Sequence, residues 1–167
     1  KQQASVFLKS FKSSFASQYI TIAVIGLILW IRAFIPPVNM PLPDGRDPLY
    51  AILYDLLSDF PVFAAILGYF MVLGSAFLLN YIFNKQEIVT KNSSLAAFLF
   101  IVLMSYHPVL LTLHPVNIGI FILLLIFKQL FESYHSSESL DLIYAAGFFT
   151  GVGSFIYFPF LVFYGFI

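Results

Sequence analysis

The sequence contains no cysteine and few charged residues. Without cysteine, neither a disulfide framework nor a thiolate metal site can form. Charged residues make up 10% of the chain, whereas a soluble domain usually carries roughly a quarter. So few charges could not cover a water-facing surface. The formal net charge of zero also argues against nucleic acid as a partner.

Motifs of several large protein classes are missing as well. The chain has no GxSxG, Walker, HExxH or Rossmann pattern, so hydrolase, nucleotide-driven pump and nicotinamide enzyme functions have no positive support. A channel or transporter normally places charged or strongly polar side chains at mid-span. The apolar segments here carry none at that depth, which disfavours a transport function.

What the chain does have is long apolar segments. Hydrophobic residues make up 60% of it, and the mean hydropathy is +0.94. Segments of about 15–20 apolar residues can cross a hydrocarbon core of roughly 30 Å. They predict an all-α fold, a single multi-pass transmembrane helix bundle over residues 1–167 with at least five spans. The spans are predicted at 19–35, 61–83, 94–106, 116–131 and from 142 onward. The third and fourth are short for a full crossing, and Pro159 either kinks or ends the fifth.

Two amphipathic segments flank the first span. Residues 1–15 place apolar side chains at helical spacing with three lysines off that stripe, which predicts a helix in the headgroup layer. Residues 36–60 predict an irregular loop and then a juxtamembrane helix, with Asp47 as its N-cap before Pro48. The predicted apolar stripe of this second helix is Leu49, Ile52, Leu53, Leu56, Leu57 and Phe60.

The basic residues predict the orientation. One side of the predicted bundle carries Lys1, Lys9, Lys12, Lys85, Lys91 and Lys128. Arg46 is the only basic residue in the loops of the other side, so by the positive-inside rule the N-terminus is cytoplasmic. The loop over 36–60, with four of the eight acidic residues, and the two His-Pro turns are then external. Because the chain begins at Lys1 rather than Met and ends within an apolar run, we expect it to be the N-terminal part of a longer protein.

Asp44 and Asp47 are the strongest candidates for chemistry. Paired carboxylates at a membrane surface can bind a divalent metal through oxygen ligands, or act as a general base and its supporting group. Each residue also has a structural interpretation, because Asp47 can cap the juxtamembrane helix and Asp44-Gly45 is an ordinary turn pair.

Arg32 lies in the last turn of the first span, where a cation is costly unless it pairs or reaches the headgroups. Its planar guanidinium could clamp a lipid phosphate or pyrophosphate bidentately, and Arg46 in the external loop is a second candidate for lipid-phosphate binding. The alternative is that Arg32 snorkels to the headgroups, assisted by Asp44 or Asp55.

Two further patterns involve a histidine pair and a glycine pair. His107 and His114, seven residues apart and each before a proline, could bind a metal together with a carboxylate such as Asp44, or relay protons. Gly147 and Gly151 have the small-xxx-small spacing that favours close helix packing.

Two stretches of the chain carry a resemblance to known proteins. Residues 83–131, which contain SYHPVLLTLHPVN, and residues 142–163, which contain AAGFFTGVG, resemble a family of uncharacterised Bacteroidota inner-membrane proteins of unknown function. The likeness covers nearly the whole chain. It implies a location in the bacterial inner membrane and a full-length protein longer than this sequence.

The layout also resembles, more distantly, the N-terminal half of GT-C-type glycosyltransferases, which take sugars from polyprenyl-phosphate carriers. Those enzymes share a cytoplasmic N-terminus, a long first external loop with an acidic residue, a juxtamembrane helix and a later AAG…G pattern. Two features depart from that pattern. Asp44 and Asp47 are separated by Gly45-Arg46 rather than adjacent. No cation stands at 157–159, near the end of the fifth span.

The GT-C resemblance implies a glycosyltransferase that acts on a lipid-linked sugar at the external face. In this hypothesis Asp44, supported by Asp47, deprotonates the acceptor hydroxyl or holds a divalent metal ion, and Arg32 holds the donor phosphate. Its partners are membrane lipid and a polyprenyl-phosphate-linked substrate. The alternative is a non-catalytic subunit or scaffold of an envelope complex, with other membrane subunits as partners.

Overall fold

The computed structural model describes residues 15–87, 93–134 and 139–165, which form helices joined by irregular connections. The α-helices described are α1 Phe15–Trp30, α2 Pro48–Leu57, α3 Pro61–Lys85, α4 Leu95–Tyr106, α5 Pro115–Ser133 and α6 Ser139–Ile156. Short 3-10 helices cover Ile31–Ala33, Pro108–Leu110 and Phe158–Gly165. These ranges contain no β-sheet, so the all-α prediction is confirmed for them. The predicted interfacial helix over 1–15 lies, except for its last residue, outside the described residues.

Among the described residues, three helices are long and apolar enough to cross a membrane: α3 with 25 residues, α5 with 19 and α6 with 18. The fourth predicted span, expected to be short, is therefore long enough. α1 and α4 are apolar but have only 16 and 12 residues. At a rise of about 1.5 Å per residue, α3 is about 38 Å long and α4 only about 18 Å. By length and composition, the structure supports three of the predicted spans.

Prolines set several helix ends. α4 stops before Pro108 because His107 takes an extended conformation (φ −92°, ψ 121°), as the residue before a proline usually does. α5 begins with Pro115 at its first helical position, where the missing N–H has no partner to lose. α6 ends at Ile156, so Pro159 lies in the following 3-10 helix and does not kink α6.

α3 takes part in two hydrophobic clusters. The first joins it to α1 and α4, and its buried members include Trp30 and Ile101. The second joins it to α2, α5 and α6, and its buried members include Tyr50 and Ile122. Small residues let neighbouring backbones approach closely, and the buried positions of α3 include Ala64, Ala65, Gly68, Ser75 and Ala76.

α2 carries apolar side chains on two sides, which differs from the single stripe predicted. The side that packs on the bundle is Tyr50, Leu53, Tyr54 and Leu57. Leu49, Ile52 and Leu56 are exposed instead, at 38%, 64% and 68%. The tyrosines were not counted in the predicted stripe, yet they make half of the packed side. An exposed apolar row of this kind is compatible with the predicted position of α2 at a membrane surface.

Candidate functional site

Hydrogen bonds bring the candidate loops together at one end of the bundle. Arg32 Nη2 donates to the carbonyl oxygen of Tyr106 at 3.0 Å, and the backbone N–H of Phe158 donates to Asp47 Oδ1 at 2.8 Å. The loop over 36–60 and the two His-Pro turns therefore share one end, as predicted. This end, which we call the acidic end, comprises residues 32–60, 105–117 and 157–158.

Asp47 is buried, with 6% of its surface exposed, and its side chain bonds to a residue far along the chain. The prediction that Asp47 precedes α2 as its N-cap is correct in position, because its carbonyl oxygen accepts from Ala51 N–H at 2.9 Å. Its side chain, however, makes no capping hydrogen bond. The carboxylate instead accepts a hydrogen bond from the backbone N–H of Phe158, at the start of the last 3-10 helix. Asp47 thus fixes the loop over 36–60 to the segment after α6.

Tyr50 anchors the same loop from α2 and was not predicted from the sequence. Its hydroxyl donates to the carbonyl oxygen of Pro41 at 2.9 Å, with the carbonyl oxygen of Leu113 at 3.4 Å. Burial raises the pKa of Tyr50, and the charges of Tyr54 and Asp47 act in the same direction. The hydroxyl therefore stays neutral and keeps its proton for the hydrogen bond.

Asp44 is exposed, and its carboxylate makes no hydrogen bond or ion pair with any residue that the structure describes. Gly45 follows it with φ +72°, a conformation that favours glycine. Beyond Gly45, the Arg46 guanidinium lies 6.0 Å from the centroid of the Phe158 ring, within cation–π range. Arg46 and Asp47 thus both contact Phe158, whereas Asp44 is exposed and contacts no partner among the described residues.

Arg32 is exposed and reaches the C-terminal end of α4. Its Nη2 donates to the carbonyl oxygens of Ser105 and Tyr106, which are unsatisfied within the helix and lie at the negative end of its dipole. Ser105 also accepts, on Oγ, a hydrogen bond from Trp30 Nε1 at 3.1 Å. Within 15–87, 93–134 and 139–165, Arg32 forms no salt bridge. The expected help from Asp44 or Asp55 is therefore wrong, and backbone carbonyls take that place.

A groove of about 480 Å³ opens beside Arg32, between α1 and α4. Its walls are mostly aliphatic, and the guanidinium stands at the acidic end. The groove is lined by Ile28, Leu29, Ile31, Arg32, Val102, Ser105 and Tyr106. Arg46 is not among these residues, so the structure separates the two arginines that were predicted to bind lipid phosphate.

The two histidines do not converge with a carboxylate. No three His, Asp or Glu side chains in the described ranges are grouped closely enough to share a metal ion. His114 Nδ1 accepts from the Val116 backbone N–H at 3.1 Å and so caps α5. The predicted metal site at Asp44, His107 and His114 is therefore not supported by the geometry, and the described residues provide no ligand set for a divalent cofactor.

His114 predicts a pH dependence of stability. Burial lowers its pKa, and the charge of His107 acts in the same direction. Because the pKa is lower in the folded state, the unfolded state binds the proton first. This contribution to stability is complete above a pH of about 6.5 and is lost as the pH falls towards the lowered value.

We expect the free energy of unfolding in detergent to decline as the pH falls from about 8 to about 5. The decline should be smaller in His114→Asn, since asparagine keeps an oxygen acceptor at the cap without titrating. Other groups also titrate in this interval, so the difference between the two proteins is the quantity to measure. Identical declines would mean that His114 plays no part.

The predicted close helix contact at Gly147 and Gly151 is not made at Gly147. A Cβ built there meets no atom of the described residues within 4 Å. A Cβ on Gly153 would instead lie 2.6 Å from the Phe160 ring, and one on Gly119 would lie 3.1 Å from it. The Phe160 ring thus fits between α5 and α6, and the close approach is made at Gly153 rather than at Gly147.

Comparisons of the chain with known protein families, with curated proteins and with solved structures give no match. The candidate site therefore rests on its own geometry. That geometry consists of an exposed carboxylate at Asp44, a guanidinium at Arg32 held by backbone carbonyls, and a groove with aliphatic walls beside it.

Proposed function

We propose that the chain is part of a bacterial inner-membrane protein with a GT-C-like layout, a cytoplasmic N-terminus, the acidic end outside and at least five crossing helices. α1 and α4 would cross with the bilayer adapting to their length. The lysines at the opposite end of the bundle support this orientation. Lys85 Nζ lies 2.6 Å from Glu132 Oε1, and Lys128 Nζ lies 3.6 Å from Glu132 Oε2. Lysines at that end suit the cytoplasmic side.

At the external end the protein would transfer a sugar from a polyprenyl-phosphate carrier to an acceptor hydroxyl. Asp44 would take the hydroxyl proton as general base while the hydroxyl oxygen bonds to the anomeric carbon. The bond from that carbon to the carrier phosphate breaks, and its electron pair leaves with the phosphate, whose charge Arg32 would stabilise. Asp47 acts only by positioning the loop, since its carboxylate is bonded to Phe158.

The observation that carries this proposal is the exposed carboxylate of Asp44 on an anchored loop. The Asp47 carboxylate bonds to Phe158 in the segment after α6, and the Tyr50 hydroxyl bonds to Pro41. Asp44, by contrast, is bonded to none of the described residues. A side chain is suited to contact a substrate when neighbouring residues fix its position but form no hydrogen bond or ion pair with it.

Asp44→Asn should lower sugar transfer by at least about 100-fold and leave thermal stability unchanged, since no described residue bonds to the carboxylate. The measurement is transfer of a radiolabelled sugar from a panel of polyprenyl-phosphate sugars by the full-length protein in vesicles. Asp59→Asn, which removes another exposed carboxylate from the same end, is the matched control. Equal transfer by all three proteins would remove Asp44 from the chemistry, and transfer by none would refute the enzyme proposal.

One observation favours a scaffold as the second candidate. Only 22% of the apolar window of α6 is buried within the chain. Tyr144, Phe148 and Phe155 on this helix are exposed at 77%, 68% and 56%, next to the open position at Gly147. Such a surface suits close packing with a helix of another subunit. A scaffold would assemble and function normally as Asp44→Asn, and this separates the two candidates.

A further inference from the structure

We infer that the groove beside Arg32 binds a phosphate-bearing anionic lipid of the external leaflet. The headgroup would lie at Arg32, and one hydrocarbon chain would lie against Ile28 and Val102. The inference rests on the proposed function for its orientation, because the acidic end must face the external leaflet. It does not require that Asp44 catalyse a reaction, so the groove and the chemistry can be tested separately.

The first argument is the charge of Arg32. Its Nη2 donates hydrogen bonds to two carbonyl oxygens, but a guanidinium has five N–H donors. No described residue accepts a hydrogen bond from Nε or Nη1. The carbonyls orient the group without neutralising it, and an unpaired cation at membrane depth is costly. A phosphate would supply both the missing negative charge and bidentate acceptors.

The second argument is the apolar character of the groove. Ile28, Ile31 and Val102 are exposed at 59%, 56% and 38% and form its walls. A free phosphate ion would use only the guanidinium and leave these walls uncovered. The volume of about 480 Å³ lies within the usual range for small-molecule sites, about 300–1,000 Å³. It suits a headgroup followed by the upper part of one chain.

Trp30 provides a built-in reporter for this site. It is the single tryptophan of the chain, its side chain is fully buried, and its Nε1 bonds to Ser105 Oγ. Ser105 itself lines the groove. Heavy atoms quench tryptophan fluorescence only at short range, so a lipid with a brominated chain would quench Trp30 when that chain occupies the groove.

The experiment uses the full-length protein, with every tryptophan outside these 167 residues replaced by phenylalanine so that Trp30 alone reports. The protein is placed in phosphatidylcholine vesicles that contain an equal mole fraction of brominated phosphatidylglycerol or brominated phosphatidylcholine. We expect roughly fivefold tighter association of the anionic lipid, the usual effect of one cation at a membrane surface. Arg32→Gln should bring the two lipids to equal quenching, because its amide can still donate to the carbonyls but carries no charge. Arg46→Gln removes a charge from the same end outside the groove and should keep the preference.

A second variant covers the case in which Arg32→Gln fails to fold. Val102→Phe fills the groove and leaves the guanidinium in place, so it should reduce quenching by both lipids. The inference is wrong if the unmodified protein shows no preference for the anionic lipid. It is also wrong if Arg32→Gln and Arg46→Gln lose the preference equally, since this would indicate a general surface charge.

Competition identifies the source of the phosphate. Unlabelled polyprenyl monophosphate and unlabelled phosphatidylglycerol should each restore Trp30 emission, and the stronger competitor is the preferred lipid. Restoration by inorganic phosphate would show that the site recognises the ion alone and would overturn the inference. Asp44→Asn should keep the lipid preference. A preserved preference without any sugar transfer would refute the enzyme proposal and leave the lipid site standing.

Discussion

Replacing Gly68 with alanine should destabilise the protein by about 3 kcal/mol, near the upper end of overpacking effects. A Cβ at this position would lie 2.4 Å from both the carbonyl carbon and the carbonyl oxygen of Thr112, and 2.8 Å from the backbone nitrogen of Leu113. These are backbone atoms, so no rotation of a side chain can relieve the clash. Either α3 or the turn over 107–114 has to move.

The turn is held in a way that resists this movement. Asn117 Nδ2 donates to the carbonyl oxygens of Leu110 and Thr112 at 2.8 and 3.0 Å. Both Asn117 and Thr112 are almost completely buried, so a shift of the turn would break hydrogen bonds where water cannot replace them. The cost of the added methyl group is therefore a loss of packing together with a loss of these bonds.

The measurement is thermal unfolding in mild detergent, followed by circular dichroism. For a chain of this size, a loss of about 3 kcal/mol lowers Tm by roughly 6–12 °C. Gly147→Ala is the matched control, because a Cβ there meets nothing among the described residues and alanine favours a helix over glycine by up to about 1 kcal/mol. If both variants lost the same stability, the close approach of the turn to α3 would be contradicted.

Asp47→Ala should cost about 1.5–3 kcal/mol, the usual range for a hydrogen bond to a charged group. The substitution removes the acceptor of the Phe158 N–H and leaves a void at a buried position. Asp47→Asn should cost less, since an amide oxygen can still accept the same hydrogen bond. Asp44→Ala should cost almost nothing, because that carboxylate has no described partner.

Hydrogen exchange gives this prediction a local measurement. The amide of Phe158 should exchange faster in Asp47→Ala than in the unmodified protein, and Asp47→Asn should restore much of the protection. Unchanged exchange and stability in Asp47→Ala would show that the bond does not hold the loop. A loss of sugar transfer in Asp47→Ala that Asp47→Asn rescues would identify Asp47 as a positioning residue.

Helix positions were the most predictable part of the fold. Apolar runs and proline breaks act within a few residues, so the four later spans agree with α3, α4, α5 and α6 to within a few residues. The packed side of α2 was less predictable, because an apolar helix at a membrane boundary can turn apolar side chains both towards the bundle and towards lipid. Periodicity alone did not show that Tyr50 and Tyr54, rather than Ile52 and Leu56, would face the bundle.

Long-range partners could not be predicted from sequence spacing. Asp47 and Phe158 are 111 residues apart, and no local pattern links a carboxylate in a loop to a backbone N–H after the last helix. The same applies to Arg32, whose carbonyl partners carry no residue-specific signal. Gly147 was selected by its spacing to Gly151, although the close approach is made at Gly153, where the position of the Phe160 ring decides which glycine is needed.

The short α4 has a consequence for the bilayer around the protein. At about 18 Å it is shorter than a hydrocarbon core of roughly 30 Å, whereas α3 exceeds that thickness. If α4 crosses the membrane as proposed, its exposed apolar residues Leu95, Leu99, Val102 and Leu103 would contact lipid, and a thinner bilayer beside α4 would keep both helix ends at the headgroups. Such thinning would draw the headgroup layer inwards beside α1 and α4 and would shorten the distance between lipid phosphates and the Arg32 guanidinium. The protein would thus thin the surrounding bilayer beside the groove that we propose as a lipid site.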